Sequence, residues 1–143
     1  MATETILELV TTLDDCSPQV VAFVLERALA AGALDAYVCP VQMKKGRPGV
    51  LLTLLARPGD RGRLCELLLS ETPTLGVRVR VCEREVRERH SVSVDTSYGP
   101  IRLTVSGEKA MPEYEDCRAA ALRCRVPLAR VQQAARAAWR GAQ

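Results

Sequence analysis

Leu34–Ala56 reads LDAYVCPVQMKKGRPGVLLTLLA, and its two ends are built differently. Val50–Ala56 is an apolar run interrupted only by Thr53, the pattern of a strand buried in a sheet interior and hence central. Leu34–Gln42 reads as its partner strand. Between them, Lys44-Lys45-Gly46-Arg47-Pro48-Gly49 has the glycine and proline content of a chain reversal. Toward the N-terminus, Val20, Val21, Val24, Leu25, Ala28 and Leu29 recur at helical spacing, from a Ser17 N-cap and Pro18 at the first helical position to a stop at Gly32. Ile6–Leu13 precedes it as a strand, joined through Asp14-Asp15-Cys16. Toward the C-terminus, Asp60 is placed to cap a helix running to Ser70 that buries Leu64, Leu67 and Leu68. After Glu71–Gly76, Val77, Val79 and Val81 alternate with Arg78, Arg80 and Cys82 as a half-exposed strand. The order is β-α-β-β-α-β, a ferredoxin-like unit over residues 1–85 in an α+β fold.

Residues 86–143 read as a second subdomain. Arg89–Asp95 and Ile101–Val105 form a hairpin about Ser97-Tyr98-Gly99-Pro100. Pro112-Glu113-Tyr114-Glu115-Asp116 opens a helix with acid at its positive end. Val126-Pro127 ends that helix and starts another, which carries Leu128, Val131, Ala135 and Trp139 along one side. The pattern is thus a hairpin plus two C-terminal helices.

Composition removes several functions. The chain has 143 residues, 48% hydrophobic and 26% charged, the balance of one soluble globular chain. Aromatic residues are only 3%, too few for base-stacking platforms, and a net charge of +3 is small, so nucleic acid is not an expected partner. A helix-turn-helix reading of the last two helices has Arg123, Arg125, Arg130, Arg136 and Arg140 in its favour, but they scatter around the helices instead of lining one face. No apolar run approaches the ~18 residues of a membrane span. The single histidine, His90, excludes zinc and di-iron motifs that need two imidazoles and reads as a surface residue. Six cysteines without a C-x-x-C pair read as reduced, mostly buried thiols of a cytoplasmic protein, with Cys117 and Cys124 on one helix face.

Topology then gathers the charged loops. Each right-handed crossover makes its two strands parallel and the central hairpin reverses direction, so Asp14 and Asp15, the Lys44–Arg47 hairpin and the Thr72–Arg78 connection share one end of the sheet. Of 20 basic side chains only Lys44, Lys45 and Lys109 are lysines, and two of them stand side by side in that hairpin. Lysines and an arginine around glycine suit a polyphosphate, Thr72, Thr74 and Gly76 add neutral donors, and paired carboxylates suit Mg²⁺ or Mn²⁺. Taken singly, each segment is equally a solvated hairpin tip, a helix cap or a turn. Their convergence is the argument for a site.

Leu13-Asp14-Asp15, Gln42-Met43-Lys44-Lys45-Gly46-Arg47-Pro48-Gly49-Val50, Thr72-Pro73-Thr74-Leu75-Gly76-Val77-Arg78 and Pro112-Glu113-Tyr114-Glu115-Asp116-Cys117 together resemble the C-terminal domain of the LarC family. The resemblance implies part of a CTP-dependent nickel insertase, a lyase-type cyclometallase that places Ni²⁺, its substrate, into the pincer nucleotide precursor of the lactate racemase cofactor. It further implies binding of CTP with Mn²⁺ or Mg²⁺, assembly into a homo-oligomer and an N-terminal LarC domain as partner, without which this chain binds CTP but does not complete insertion. Carried over by residue, Lys44, Lys45 and Arg47 would hold phosphates, Thr72, Thr74 and Arg78 would support them, and Asp14 or Asp15 would face the cation. Met111 stands where the family often has lysine, and Cys16 where methionine is frequent. A non-catalytic ligand-binding or oligomerisation module is the competing reading, because ferredoxin-like folds host many functions.

Overall fold

The computed structural model describes residues 1–142. Its elements run β1 (Ala2–Leu13), α1 (Pro18–Ala30), β2 (Asp35–Gln42), β3 (Pro48–Ala56), α2 (Arg61–Glu71), β4 (Arg78–Val86), β5 (His90–Thr96), β6 (Gly99–Ser106), β7 (Lys109–Pro112), α3 (Tyr114–Cys124) and α4 (Leu128–Gly141), with short 3₁₀ turns at Lys44–Gly46 and Pro58–Asp60. They form two compact units, Thr3–Val86 and a second made of Met1, Ala2 and the chain from Arg87 onward. No helix among the described residues is long and apolar enough to cross a membrane.

In the first unit the sheet order is β2-β3-β1-β4. β3 is antiparallel to β1 in the register Leu7↔Ala56 to Leu13↔Val50, and to β2 from Asp35↔Leu55 to Gln42↔Pro48. The apolar run is therefore central, as its composition requires. Leu9, Leu52, Leu54, Val24, Ala28, Leu64 and Leu68 are fully buried and join α1 and α2 to one face of the sheet. Each such leucine contributes roughly 1.5–3 kcal/mol by leaving water. Ser17 caps α1, its hydroxyl accepting from Gln19 N at 3.2 Å. Asp60 departs from expectation: its side chain caps nothing and is instead taken by Arg63 at 2.7 Å, with Arg57 at 3.9 Å. Val81 departs too. Strict alternation would place it with Val77 and Val79, which pack against the core, but it is 72% exposed, because the alternation shifts by one residue there: Arg80 and Val81 are both exposed and Cys82, Arg84 and Val86 are the half-buried positions that follow. β1 and β4 run longer than their apolar content suggests, since Arg84 pairs with Glu4 and Thr3 donates to Glu85 at 2.7 Å.

In the second unit the hairpin β5–β6 gains a third strand, β7. Lys-Ala-Met-Pro carries no alternation that would announce it; pairing from Leu103↔Pro112 to Ser106↔Lys109 makes it a strand. Ile101, Cys117, Ala120, Val131 and Ala135 form the core under α3 and α4. α3 ends on Arg125 in the left-handed region, φ 54° and ψ 46°. The cysteines are all free, but only Cys117 is buried; Cys16, Cys65 and Cys82 are half-buried, and Cys39 and Cys124 are exposed. Cys117 and Cys124, seven residues apart in α3, do lie on one side of the helix, but Cys124 is its last residue and stands exposed beyond the core that buries Cys117.

Candidate functional site

β1 and β2 end, and β3 and β4 begin, at the same edge of the first unit's sheet. Gln42↔Pro48 closes the β2–β3 ladder there. Met43 N donates to Arg47 O at 2.8 Å and the Gln42 amide to Gly46 O at 2.5 Å, so the Lys44–Gly46 turn is pinned from both sides. Within it Lys45 adopts φ 60°, ψ 22°, and Gly46 follows at φ 71°. A left-handed L-residue costs roughly 1–2 kcal/mol, and such strain gathers where backbone N–H groups are turned toward a ligand. The Lys44 and Lys45 side chains are exposed and have no ion-pair partner among the described residues.

Gly49 sets how closely this hairpin lies on β1. A Cβ there would sit 2.6 Å from Leu13 O and 2.5 Å from Met43 Sδ. The close approach brings Arg47 Nη2 to 2.8 Å from Asp14 Oδ2. This ion pair lies off hydrogen-bond geometry, and Oδ2 is buried with no hydrogen bond of its own. The paired aspartates thus part company: Asp14 is turned into the fold, whereas Asp15 is exposed. The Cys16 thiol beside them is pushed up, first by burial and second by the Asp15 charge.

The loop into β4 reaches the same strand from the other side. Thr72 is buried, its hydroxyl donating to Leu68 O at 2.7 Å and accepting from Thr74 N at 3.3 Å. Thr74 Oγ1 donates to Gly76 O at 3.0 Å and lies 2.5 Å from Thr11 Oγ1. These hydroxyls are committed to building the loop, which leaves exposed Arg78 and turned backbone as its outward donors. Hairpin and loop are therefore both anchored at the end of β1, one through Asp14 just beyond the strand and one through Thr11 within it. Thr11 and Gly49 were absent from the sequence-derived set, although a threonine among the leucines of a buried strand is a legible signal of a polar tie.

Between α1 and the ends of β1, β2 and β3 lies a cleft of about 440 Å³. Leu13, Val21, Leu25, Val38, Pro48 and Val50 give it apolar walls, and Asp14 is its one charged lining residue. No group of three or more His, Cys, Asp or Glu residues able to hold a metal occurs among the described residues. A cation here would rest on the two carboxylates and on oxygens of its ligand.

Pro112–Cys117 has a different job, in the second unit. Glu113 Oε1 accepts from the Thr104 hydroxyl at 2.7 Å. Asp116 takes Arg102 Nε at 2.9 Å, Nη2 at 2.7 Å and backbone N at 3.0 Å. The Arg102 guanidinium holds the Asp116 carboxyl at about 2. The segment clamps the start of α3 to β6.

A family model described as nickel insertion protein matches residues 1–132. The chain is 41% identical over 128 residues, 87% of its length, to the pyridinium-3,5-bisthiocarboxylic acid mononucleotide nickel insertion protein of Acetivibrio thermocellus, and 38% identical over 136 residues, 92% of its length, to that of Lactiplantibacillus plantarum. It spans 31% and 32% of those proteins, about a third of the length of the curated relatives it matches. The solved structure of LarC2, the C-terminal domain of a cyclometallase involved in the synthesis of the NPN cofactor of lactate racemase, in its apo form, superimposes with a TM-score of 0.90 at 37% identity, covering 96% of this chain and 98% of that one.

Proposed function

We propose, since this chain belongs to the nickel insertion protein family, that it is the nucleotide-binding part of a CTP-dependent cytoplasmic nickel insertase. The observation that carries the reading is the Lys44–Arg47 hairpin: two unpaired lysines on a strained left-handed turn, held against β1 through Gly49 and Asp14. Lys44, Lys45 and Arg47 hold the phosphates of CTP, and Arg78 adds a further cation from the β4 loop. Thr72 and Thr74 support the phosphates by fixing that loop, not by lending their hydroxyls. Asp15, the exposed carboxylate, faces Mg²⁺ or Mn²⁺. Bound CTP supplies the phosphoanhydride chemistry. An N-terminal domain, homologous to the remainder of the longer relatives, carries Ni²⁺ and the pincer nucleotide precursor, and the assembled protein is a homo-oligomer.

The test is calorimetric titration of the chain with CTP, UTP, ATP and GTP, each with and without Mn²⁺ or Mg²⁺. Cation-dependent binding that Lys44→Ala with Lys45→Ala abolishes, in a protein that keeps its fold, is the expected outcome. Unchanged CTP affinity in that variant would sink the reading. A non-catalytic assembly module is the second reading, favoured by Leu75, which stands fully exposed at the tip of the hydrogen-bonded β4 loop. On that reading no nucleotide binds and Leu75→Ser changes the oligomeric state.

A further inference from the structure

β1 carries a hydroxyl where its neighbours are leucines. By alternation Thr11 shares the core-facing side of the strand with Leu9 and Leu13, it stands opposite Leu52 in the ladder, and it is 2% exposed. A buried hydroxyl costs free energy unless it is hydrogen-bonded, and valine would fill the same shape without that cost. The hydroxyl is committed outside its own strand. Thr74 gives its proton to Gly76 O at 3.0 Å, so the 2.5 Å contact between Thr11 Oγ1 and Thr74 Oγ1 takes its proton from Thr11. Thr74 N then donates to Thr72 Oγ1, which donates to Leu68 O. One chain of hydrogen bonds thus runs from β1 through the loop to the end of α2. Three residues beyond Thr11, Asp14 holds Arg47 of the hairpin. The two ties lie at most about 11 Å apart along the chain, so one strand end fixes the span between the segments Lys44–Arg47 and Thr72–Arg78.

We propose that Thr11 is a positioning residue that sets the site's preference for a triphosphate over shorter phosphate chains. Buried as it is, Thr11 touches no ligand and acts only through the loop it holds. With the loop tied to β1, a phosphate chain gripped by the hairpin also reaches the loop's turned backbone and Arg78. A shorter chain engages the hairpin alone. Without the tie the loop drifts from that register, and the ordering that a triphosphate would otherwise find already done is lost at the moment of binding. The inference rests on the nucleotide reading above and adds to it the residue that governs phosphate-chain length.

The test is calorimetric titration with CTP and with CDP, each with Mg²⁺, read as the ratio of the two affinities. Thr11→Val keeps the shape and removes the hydroxyl, and it orphans no partner because Thr74 still donates to Gly76 O. Its CTP-to-CDP ratio falls at least tenfold, through weaker CTP binding, while CDP affinity stays within about threefold of the wild type. Thr11→Ser restores the hydroxyl and with it the ratio. Val24→Ala destabilises the same core from a fully buried position in α1 without cutting the tie, and it keeps the wild-type ratio. Thr74→Val breaks the same bond from the loop side and decides the matter if melting curves show Thr11→Val to be unfolded. A valine variant that is folded and keeps the wild-type ratio, a loss of CTP and CDP binding in equal measure, or a loss of the ratio in Thr11→Ser or Val24→Ala overturns the inference and leaves the nucleotide reading standing. So does a wild-type chain that binds CTP and CDP equally. A wild-type chain that binds no nucleotide overturns both.

Discussion

Replacing Lys45 with glycine separates what that residue costs the fold from what it gives a ligand. At φ 60° and ψ 22° it carries a left-handed penalty of roughly 1–2 kcal/mol. Glycine removes the penalty but returns roughly 0.5–1 kcal/mol to the flexibility of the unfolded chain, for a net gain of about 0.5–1 kcal/mol. In a unit of this size each kcal/mol moves the melting temperature by roughly 4–8 °C, so Lys45→Gly melts about 2–8 °C above the wild type. The same change deletes an ammonium whose hydrogen bond to phosphate is worth roughly 1.5–3 kcal/mol, and CTP affinity falls by about 10- to 150-fold. Lys45→Ala is the control, because it removes the charge and keeps the strain. It matches the glycine variant in calorimetric titration with CTP and Mg²⁺, and matches the wild type in thermal melting. The reasoning is refuted if Lys45→Gly melts no higher than Lys45→Ala, or if both variants bind CTP within twofold of the wild type.

Gly49→Ala places a Cβ 2.6 Å from a β1 carbonyl; overpacking of this kind costs about 1–3 kcal/mol, and adding Met43→Ala recovers only the part due to sulfur, both visible as shifts in thermal midpoint. Arg125→Gly relieves a left-handed exposed position at the end of α3 and, by the balance used for Lys45, raises stability by roughly 0.5–1 kcal/mol, measured by urea denaturation. Asp116 is held at about 2, below its ordinary 3.8. Its contribution is therefore present above the ordinary value and lost as pH falls through about 2. Melting followed from pH 5 to pH 2 shows a decline that is shallower in Asp116→Asn, and identical slopes for the two proteins refute the assignment.

The first unit's topology was legible because periodicity and punctuation agree along it. Val50–Ala56 has one polar residue, Thr53, among apolar ones on both faces and so belongs in the interior, and Ser17-Pro18 starts a helix for local reasons that no tertiary contact needs to supply. Where expectation failed, a nonlocal partner decided. Asp60 has the chemistry of a cap, but Arg63 and Arg57 compete for its oxygens. Lys109–Pro112 becomes a strand only because β6 offers a free edge. At the candidate site, side-chain types pointed to the lysines and aspartates, but their division of labour is a matter of depth. Nothing in Asp-Asp says that the first turns inward to Arg47 and the second stays outside. Nor does Thr-Pro-Thr announce that its hydroxyls are consumed by Leu68, Gly76 and Thr11.

That division bears on why a divalent cation belongs in the proposed mechanism at all. Four cationic side chains, Lys44, Lys45, Arg47 and Arg78, and two carboxylates, Asp14 and Asp15, occur in the segments at this end of the sheet. Arg47 is already balanced by Asp14, so the charge free to meet a ligand is smaller than the count of basic residues suggests. A triphosphate brings more negative charge than that remainder can neutralise, and the exposed carboxylate of Asp15 would repel it further. Mg²⁺ or Mn²⁺ between Asp15 and the phosphates reverses the sign of that contact. The hairpin's cations then position the phosphates, and the ion closes the charge balance. On this account, removing Asp15 weakens the dependence of CTP binding on the cation, whereas removing Lys44 or Lys45 weakens CTP binding and leaves the dependence in place. A site in which the lysines alone carried the phosphates would show the reverse.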